Sequence, residues 1–283
     1  MIYFYARTDN RKDLDRLRRT VALAMEFDEV YLMTTDFRAA SYAKSLGIKK
    51  AVGIEDFRNI SQLAQRGDTL VFDSDEHLEN DYVHQEMIDY FGHFVRISYD
   101  PTDRRKEGEI LVSPYLEGED VVRGILIDSR YYERVEKEQR RIFFWGDADY
   151  EKELLTRAVA LEPYKYKLVE GLYFFAGYDD ELAPYFEQIC EVEEYMECLQ
   201  SAEHLLAASP QSALEAAVCG ASVSYVPKGK NEYDGLLDRF GIERVEWGEL
   251  EFKAPSGKKI DPAEDPLLAG GAKGVAKILK ELI

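Results

Sequence analysis

Residues 203–227, EHLLAASPQSALEAAVCGASVSYVP, decide how this chain folds. An apolar run ends at Ser209. An alanine-rich helical pattern follows and stops at Gly220, and a second apolar run closes at Pro227. Both runs are continuous rather than alternating, as expected of strands covered on both faces of a parallel sheet. Strand, helix and strand at this spacing form one βαβ unit. The helix start carries Ser209, Ser212 and Glu215, and two explanations fit them. Free N–H groups at a helix start favour an anion; the two hydroxyls then bond a phosphate, and Glu215 accepts from ribose hydroxyls. Alternatively, Ser212 as N-cap with Glu215 three residues on forms a capping box.

The same alternation runs outward in both directions. Toward the N-terminus, MIYFYA, EVYLMTT, KKAVGI, DTLVFDS and HFVRISY read as strands. Between them lie helical patterns, including KDLDRLRRTVALAMEF, with Leu14, Leu17, Val21 and Ala24 on one face, and FRAASYAKSLG, with Gly47 as its stop. The stretch SRYYERVEKEQRR, residues 129–141, reads as a charged helix, and a domain boundary is expected near residue 138. Beyond it the pattern restarts with RIFFWG and ends with IERVEWG and a terminal helix in GGAKGVAKILKELI. The expected fold class is α/β, two doubly wound Rossmann-like domains, 1–138 and 139–283, facing each other across a cleft. Ligands of such sheets bind at the carboxyl ends of the strands.

Composition narrows the function. The 283 residues carry 36 basic and 55 acidic side chains, a net charge of −19. That field repels polyanions, so nucleic acid and anionic membrane surfaces are not expected partners. No apolar run reaches the ~18 residues of a membrane span, and the first residues lack the apolar core of a signal peptide. The three cysteines, Cys190, Cys198 and Cys219, show no metal spacing and fit reduced thiols of a cytoplasmic protein. Cys190 and Cys219 are expected to be buried. No motif calls for a metal or other cofactor.

Further candidates lie just past other strands. Arg7 and Asp9 follow the first strand. From Arg11 to Arg19 there are five basic residues against two acidic ones, an island in an acidic chain. It is either a patch for an anionic ligand or a solvated helix face with i,i+3 and i,i+4 pairs such as Asp15 with Arg18 or Arg19. Gly146 sits where a phosphate loop would be, yet Asp147 and Asp149 beside it repel phosphate and suit N-capping. Asp73, Asp75 and Glu76 follow a buried strand and offer either a divalent-ion site or acid–base chemistry, with no periodic ligand spacing to support the metal.

These features, in this order, resemble a known family. A helix-initiating serine with a glutamate beyond it, then an apolar strand ending in Pro227, resembles the nucleotide-binding half of GT-B glycosyltransferases. It resembles still more the UDP-sugar hydrolases of pseudaminic acid biosynthesis, the PseG family. The loop holding Asn231 and Glu232, the helix NEYDGLLDRFG, the tail GGAKGVAKIL, Arg7-Thr8-Asp9, Asp73 in VFDSD and ILIDSRYYE are similar as well. The resemblance implies a sugar or acceptor side in residues 1–138 and a nucleotide side in 139–283. It implies a UDP-type nucleotide-sugar ligand contacted by Arg7, Arg19, Gly146, Ser209, Ser212, Glu215, Asn231 and Glu232.

The sequence departs from that family at its catalytic motif, Gly-x-Gly-His-x-x-Arg. The matching residues read DLDRLRR. Arg19 keeps the arginine, Arg16 stands in place of the histidine, and Asp13 and Asp15 replace the glycines. Asp147 replaces a second glycine after Gly146, and Asp75 a tyrosine. Histidine suits water activation near neutral pH; arginine stays protonated and does not substitute for it. The expectation is a nucleotide-sugar-binding protein with a rearranged site, a hydrolase or glycosyltransferase of surface-glycan or flagellin sugar metabolism. Asp9, Arg16 and Asp73 are its candidate catalytic residues. The alternative is a catalytically inactive homologue serving as an interaction or regulatory subunit with a protein partner.

Overall fold

The computed structural model describes residues 1–76, 81–138, 140–246 and 259–283. The chain forms two compact units. The first comprises Met1–Asp9, Arg16–Ser129 and Ala263–Ile283, and the second Asn10–Asp15 and Arg130–Pro262.

In the first unit the elements are β1 (Ile2–Ala6), α1 (Asp15–Ala24, whose first residue groups with the second unit), β2 (Val30–Thr34), α2 (Phe37–Ser45), β3 (Ala51–Gly53), α3 (Ile60–Leu63), β4 (Thr69–Asp73), α4 (Asp81–Tyr90), β5 (His93–Ile97), β6 (Glu109–Ser113) and β7 (Val121–Arg123). The strands pair in parallel in the order β3-β2-β1-β4-β5-β6-β7. The order reverses between β1 and β4, the topological switch point of a doubly wound sheet. β4 and β6 are buried along their whole length, and β1 and β5 from their second residue on, as a sheet covered on both faces requires. Aromatic side chains seam the centre: Tyr5 stacks on Phe72 at 5.2 Å, and Phe72 meets Phe94 at 5.8 Å.

Strands β6 and β7 extend this sheet beyond what the sequence pattern suggested. β5 and β6 are joined by a loop rather than a helix, so no 3.6-residue periodicity announces the crossover. A buried ion cluster ties the added strand down. Arg96 bonds both carboxylate oxygens of Glu109, and His84 Nε2 lies 2.7 Å from Glu109 Oε2. The helix Gly271–Leu282 also belongs to this unit. It buries Ala272, Val275, Ala276 and Leu279, one stripe at i, i+3, i+4 and i+7. The Ala272 N–H donates to the Ile127 carbonyl at 2.9 Å.

The second unit contains β8 (Arg140–Phe144), α5 (Glu153–Ala158), β9 (Lys167–Val169), α6 (Tyr178–Leu182), β10 (Gln188–Cys190), α7 (Tyr195–Ser201), β11 (Ala202–Ala207), α8 (Pro210–Val218), β12 (Ser222–Tyr225), α9 (Asp234–Arg239) and β13 (Glu243–Arg244). Its parallel sheet runs β10-β9-β8-β11-β12-β13, again reversing at the centre, between β8 and β11. Phe143, Trp145, Leu154, Leu168, Tyr178 and Leu206 belong to its apolar core. Gly220, at φ 80°, ends α8 in a Schellman motif: Ala221 N–H reaches Ala216 O, and Gly220 N–H reaches Ala217 O. The same pair of bonds ends α2 at Gly47 and Ile48.

Two sequence expectations change. The described residues of 129–141 form no charged helix: Ser129–Tyr132 make one 3₁₀ turn, residues 133–138 are irregular, and β8 starts at Arg140. The stretch has good helix formers but no apolar stripe to bury, and packing outweighs propensity. Its backbone is tied instead to the end of α7, with Glu138 N–H on Ser201 O and Lys137 Nζ on Gln200 O. Cys190 and Cys198 are buried, whereas Cys219 is only half-buried. Parts of three expected elements, at Asn80, Gln139 and Trp247–Gly248, lie outside the described residues. Among the described residues, no helix is long and apolar enough to cross a membrane.

Candidate functional site

In each unit the candidate residues gather where the sheet reverses, at the carboxyl ends of its central strands. In the first unit this edge is a cluster of arginines and carboxylates. Asp73, at the end of β4, is fully buried. It accepts two bonds from Arg19, at 2.7 and 2.6 Å, and a third from the Thr20 hydroxyl at 2.9 Å. Arg19 is itself buried, its guanidinium 4.2 Å above the Tyr99 ring. Two-point geometry of this kind suits a planar guanidinium.

The outer part of the cluster is half-exposed. Arg16 Nε lies 3.4 Å from Asp73, and Arg16 Nη1 lies 3.3 Å from Asp75. Arg7 donates to Asp75 at 2.7 Å, and the Tyr5 hydroxyl donates to Glu76 at 2.6 Å. Burial works to raise the Asp75 carboxyl, but Arg16 and Arg7 together hold it below the ordinary value. Arg7, Arg16, Arg19 and Asp73 therefore converge, and each cation already faces a carboxylate. Asp9 lies three residues past β1, half-buried. In the stretch DLDRLRR, Arg16 points its permanently charged group at two carboxylates, and the guanidinium itself does not act as a base.

In the second unit, Ser209 ends the segment after β11 and caps α8. Its hydroxyl accepts the Ser212 N–H at 3.1 Å, and Pro210 takes the first helical position. This corrects the capping box that the sequence suggested. Proline lacks an N–H and has its φ preset for that position, so the cap moves three residues upstream and Glu215 falls inside the helix. There Glu215, 2% exposed, accepts from the Tyr195 hydroxyl at 2.7 Å and from Gln211 Nε2 at 2.9 Å. Tyr195 also lies 2.6 Å from the Ser212 hydroxyl, and Ser212 2.6 Å from that of Ser209. Tyr233 donates to Gln211, and Asn231 bonds both the Tyr225 hydroxyl and the Tyr233 N–H. Glu232, beside them, is half-buried.

Sequence reasoning placed Ser209, Ser212, Glu215 and Asn231 here but missed Tyr195, Gln211 and Tyr233. Gln211 was within reach, being one helical turn before Glu215. Tyr195 and Tyr233 come from other helices and leave no local signal.

Gly146 follows β8 at φ 120°. A Cβ there would overlap the Asp13 carboxylate and the Lys228 ammonium, so glycine permits a close approach. The approaching group is the protein's own. Asp13 accepts the Asp147 N–H at 2.9 Å, and the Leu14 N–H donates to the buried Asp147 carboxylate at 2.8 Å. Lys228 lies 3.2 Å from Asp13 and 4.8 Å from the centre of the Trp145 ring. Asp149 accepts the Glu153 and Leu154 N–H groups at the start of α5, and the Tyr178 hydroxyl. Among the described residues no group of three or more histidines, cysteines and acidic side chains is placed to hold a metal ion.

No protein-family model matches this sequence, and no curated protein matches it. Solved structures do. The spinosyn rhamnosyltransferase SpnG complexed with spinosyn aglycone superposes with a TM-score of 0.56 at 10% identity, over 99% of this chain and 91% of that one. AviGT4, a glycosyltransferase involved in avilamycin A biosynthesis, gives 0.54 at 15%, over 99% and 96%. The Methanocaldococcus jannaschii UDP-GlcNAc 2-epimerase, in complex with UDP-GlcNAc and UDP, gives 0.53 at 12%, over 99% and 98%. Likeness at such low identity defines the fold: two α/β units of the GT-B type.

Proposed function

We propose that this chain is a nucleotide-sugar-binding protein of the GT-B type, most similar in its motifs to the PseG hydrolases but with a rearranged site. The nucleotide is received at the carboxyl edge of the second unit, at the start of α8. The observation that carries this reading is the run of polar side chains there. Ser209, Ser212, Tyr195 and Glu215 follow one another at hydrogen-bond distance, at the switch point where doubly wound sheets take ligands. Two solved structures of this fold are glycosyltransferases and a third is an epimerase in complex with UDP-GlcNAc and UDP, which supports the ligand class. A UDP-type ligand follows from the motif resemblance.

A thermal-shift screen against UDP, CMP and GDP and their sugar conjugates tests the reading. Ligand at about 100 times its dissociation constant stabilises the fold by about 2.7 kcal/mol. Glu215→Gln, which keeps the shape of the buried side chain, should abolish the shift while the free protein still melts cooperatively. A full set of nucleotides without any shift rejects the reading.

The second reading, a catalytically inactive homologue acting through a protein partner, is favoured by one observation. Arg16 replaces the family's histidine and, with Arg19, is engaged with Asp73. Absence of turnover for a ligand that binds would support it.

A further inference from the structure

The carboxyl edge of the second unit is occupied by the chain itself. Residues Asn10–Asp15, which lead into α1 and include its first residue, group with this unit. They reach its two central strand ends with acidic side chains. Asp13 sits over Gly146 and takes the N–H of Asp147, while the Leu14 N–H returns a bond to the Asp147 carboxylate. Asp15 accepts a hydrogen bond from the Ser209 hydroxyl at 2.6 Å. The acceptors thus fill one backbone N–H and one serine hydroxyl, at the ends of β8 and β11 respectively. Backbone N–H groups and serine hydroxyls at strand ends are the donors that phosphates use in doubly wound folds. The Asp13 carboxylate is held there at a cost. Burial pushes its pKa up, Lys228 pulls it down, and the neighbouring Asp147 raises it again.

We propose that Asp13 and Asp15 are resident occupants of the phosphate position at this edge and thereby set the ligand preference, favouring the nucleoside part and disfavouring free phosphate groups until the segment leaves. This inference rests on the nucleotide-binding reading above. Two carboxylates beside an incoming diphosphate repel it, and their oxygens compete for the same donors. Removing them leaves Lys228, the Asp147 N–H and the Ser209 hydroxyl for the ligand.

The test is calorimetric titration of the full chain with the four ribonucleosides and their 5′-diphosphates. It compares the wild type with Asp13→Ala/Asp15→Ala and, should that pair fail to fold, with Asp13→Asn/Asp15→Asn. The expected result is a wild type that binds one nucleoside and its diphosphate with similar affinity. In the variant the diphosphate binds about tenfold tighter, as removal of nearby like charge predicts, and the nucleoside is unchanged. A wild type that already prefers the diphosphate, with no gain in either variant, overturns the inference and leaves the nucleotide reading standing. No binding of any nucleoside or diphosphate by wild type or variant overturns both.

Discussion

Asp73 is the candidate catalytic residue whose structural role is best defined, and its replacement separates the two roles. In the structure its carboxylate takes two bonds from Arg19 and one from Thr20, with Arg16 nearby. Both Asp73 and Arg19 side chains are 1% exposed. Asp73→Ala leaves a buried guanidinium without its counter-ion, and breaking a buried pair in this way costs about 3–5 kcal/mol. For a domain of some 150 residues, each kcal/mol moves the melting point by about 2–4 °C, so the first unit should melt roughly 10 °C lower. The paired replacement Arg19→Met/Asp73→Leu removes both charges and should cost less than Asp73→Ala alone. Both tryptophans of the sequence, Trp145 and Trp247, fall in the residue range of the second unit. Tryptophan fluorescence therefore follows that unit, and circular dichroism follows the whole chain. The reasoning fails if Asp73→Ala costs under about 1 kcal/mol, or if the paired replacement is the worse of the two.

Tyr195→Phe removes one hydroxyl that serves both Ser212 and Glu215. A loss of about 1–3 kcal/mol in chemical denaturation is expected, the penalty of leaving buried polar groups unsatisfied; a neutral effect would contradict the hydrogen-bonded arrangement. Gly146→Ala places a methyl group against Asp13 at a φ of 120°. It should cost about 1–3 kcal/mol in backbone strain and speed amide exchange at Leu14; unchanged exchange there would count against the close approach. Acid should destabilise the fold through two groups. Burial and Arg141 lower the His204 pKa from 6.5 to about 4, so its neutral form stabilises the fold above pH 6.5 and that contribution is lost as pH falls toward 4. Burial works to raise the Glu109 carboxyl, but His84 and Arg96 outweigh it and hold it at about 2 instead of 4.5. Its contribution is present above pH 4.5 and is lost as pH falls toward 2. Melting points of His204→Gln measured from pH 7 to 4 should lose the first slope; an unchanged slope rejects that assignment.

Much of the fold was legible because the central strands are continuous apolar runs and glycines stop the helices between them. Gly47 and Gly220 are examples, each closing the end of a helix with one backbone bond of its own and one from the next residue. Strands β6 and β7 were not legible, because a loop rather than a helix leads into β6 and the ion pair that seats it joins Arg96 to Glu109. The helical propensity of residues 129–141 was misleading, since propensity is weak without a face to bury. The place of the terminal helix depends on a stripe that any apolar surface would satisfy; chain order alone does not say that Ala272 meets Ile127. At the site, position after a strand singled out Arg7, Asp73, Gly146 and Ser209. What these residues touch was hidden. Ser209 and Asp15 are 194 residues apart in sequence, and Asp13 and Asp147 are brought together only by the folded chain. The arginine island from Arg11 to Arg19 left open an anion patch or a helix face paired at i,i+3 and i,i+4; in the structure Arg16 and Arg19 face Asp73 and Asp75, which come from the end of β4.

The central claim is that a nucleotide sugar is received at the start of α8, and hydrogen exchange measured with and without saturating UDP tests it most directly. The account predicts added protection in residues 207–215 and 225–233, around Ser209, Ser212, Glu215 and Asn231, with faster exchange at Leu14 as its segment is displaced. Bound UDP that leaves those two stretches unchanged and protects the β1 and β4 ends around Arg7 and Asp73 instead would contradict it.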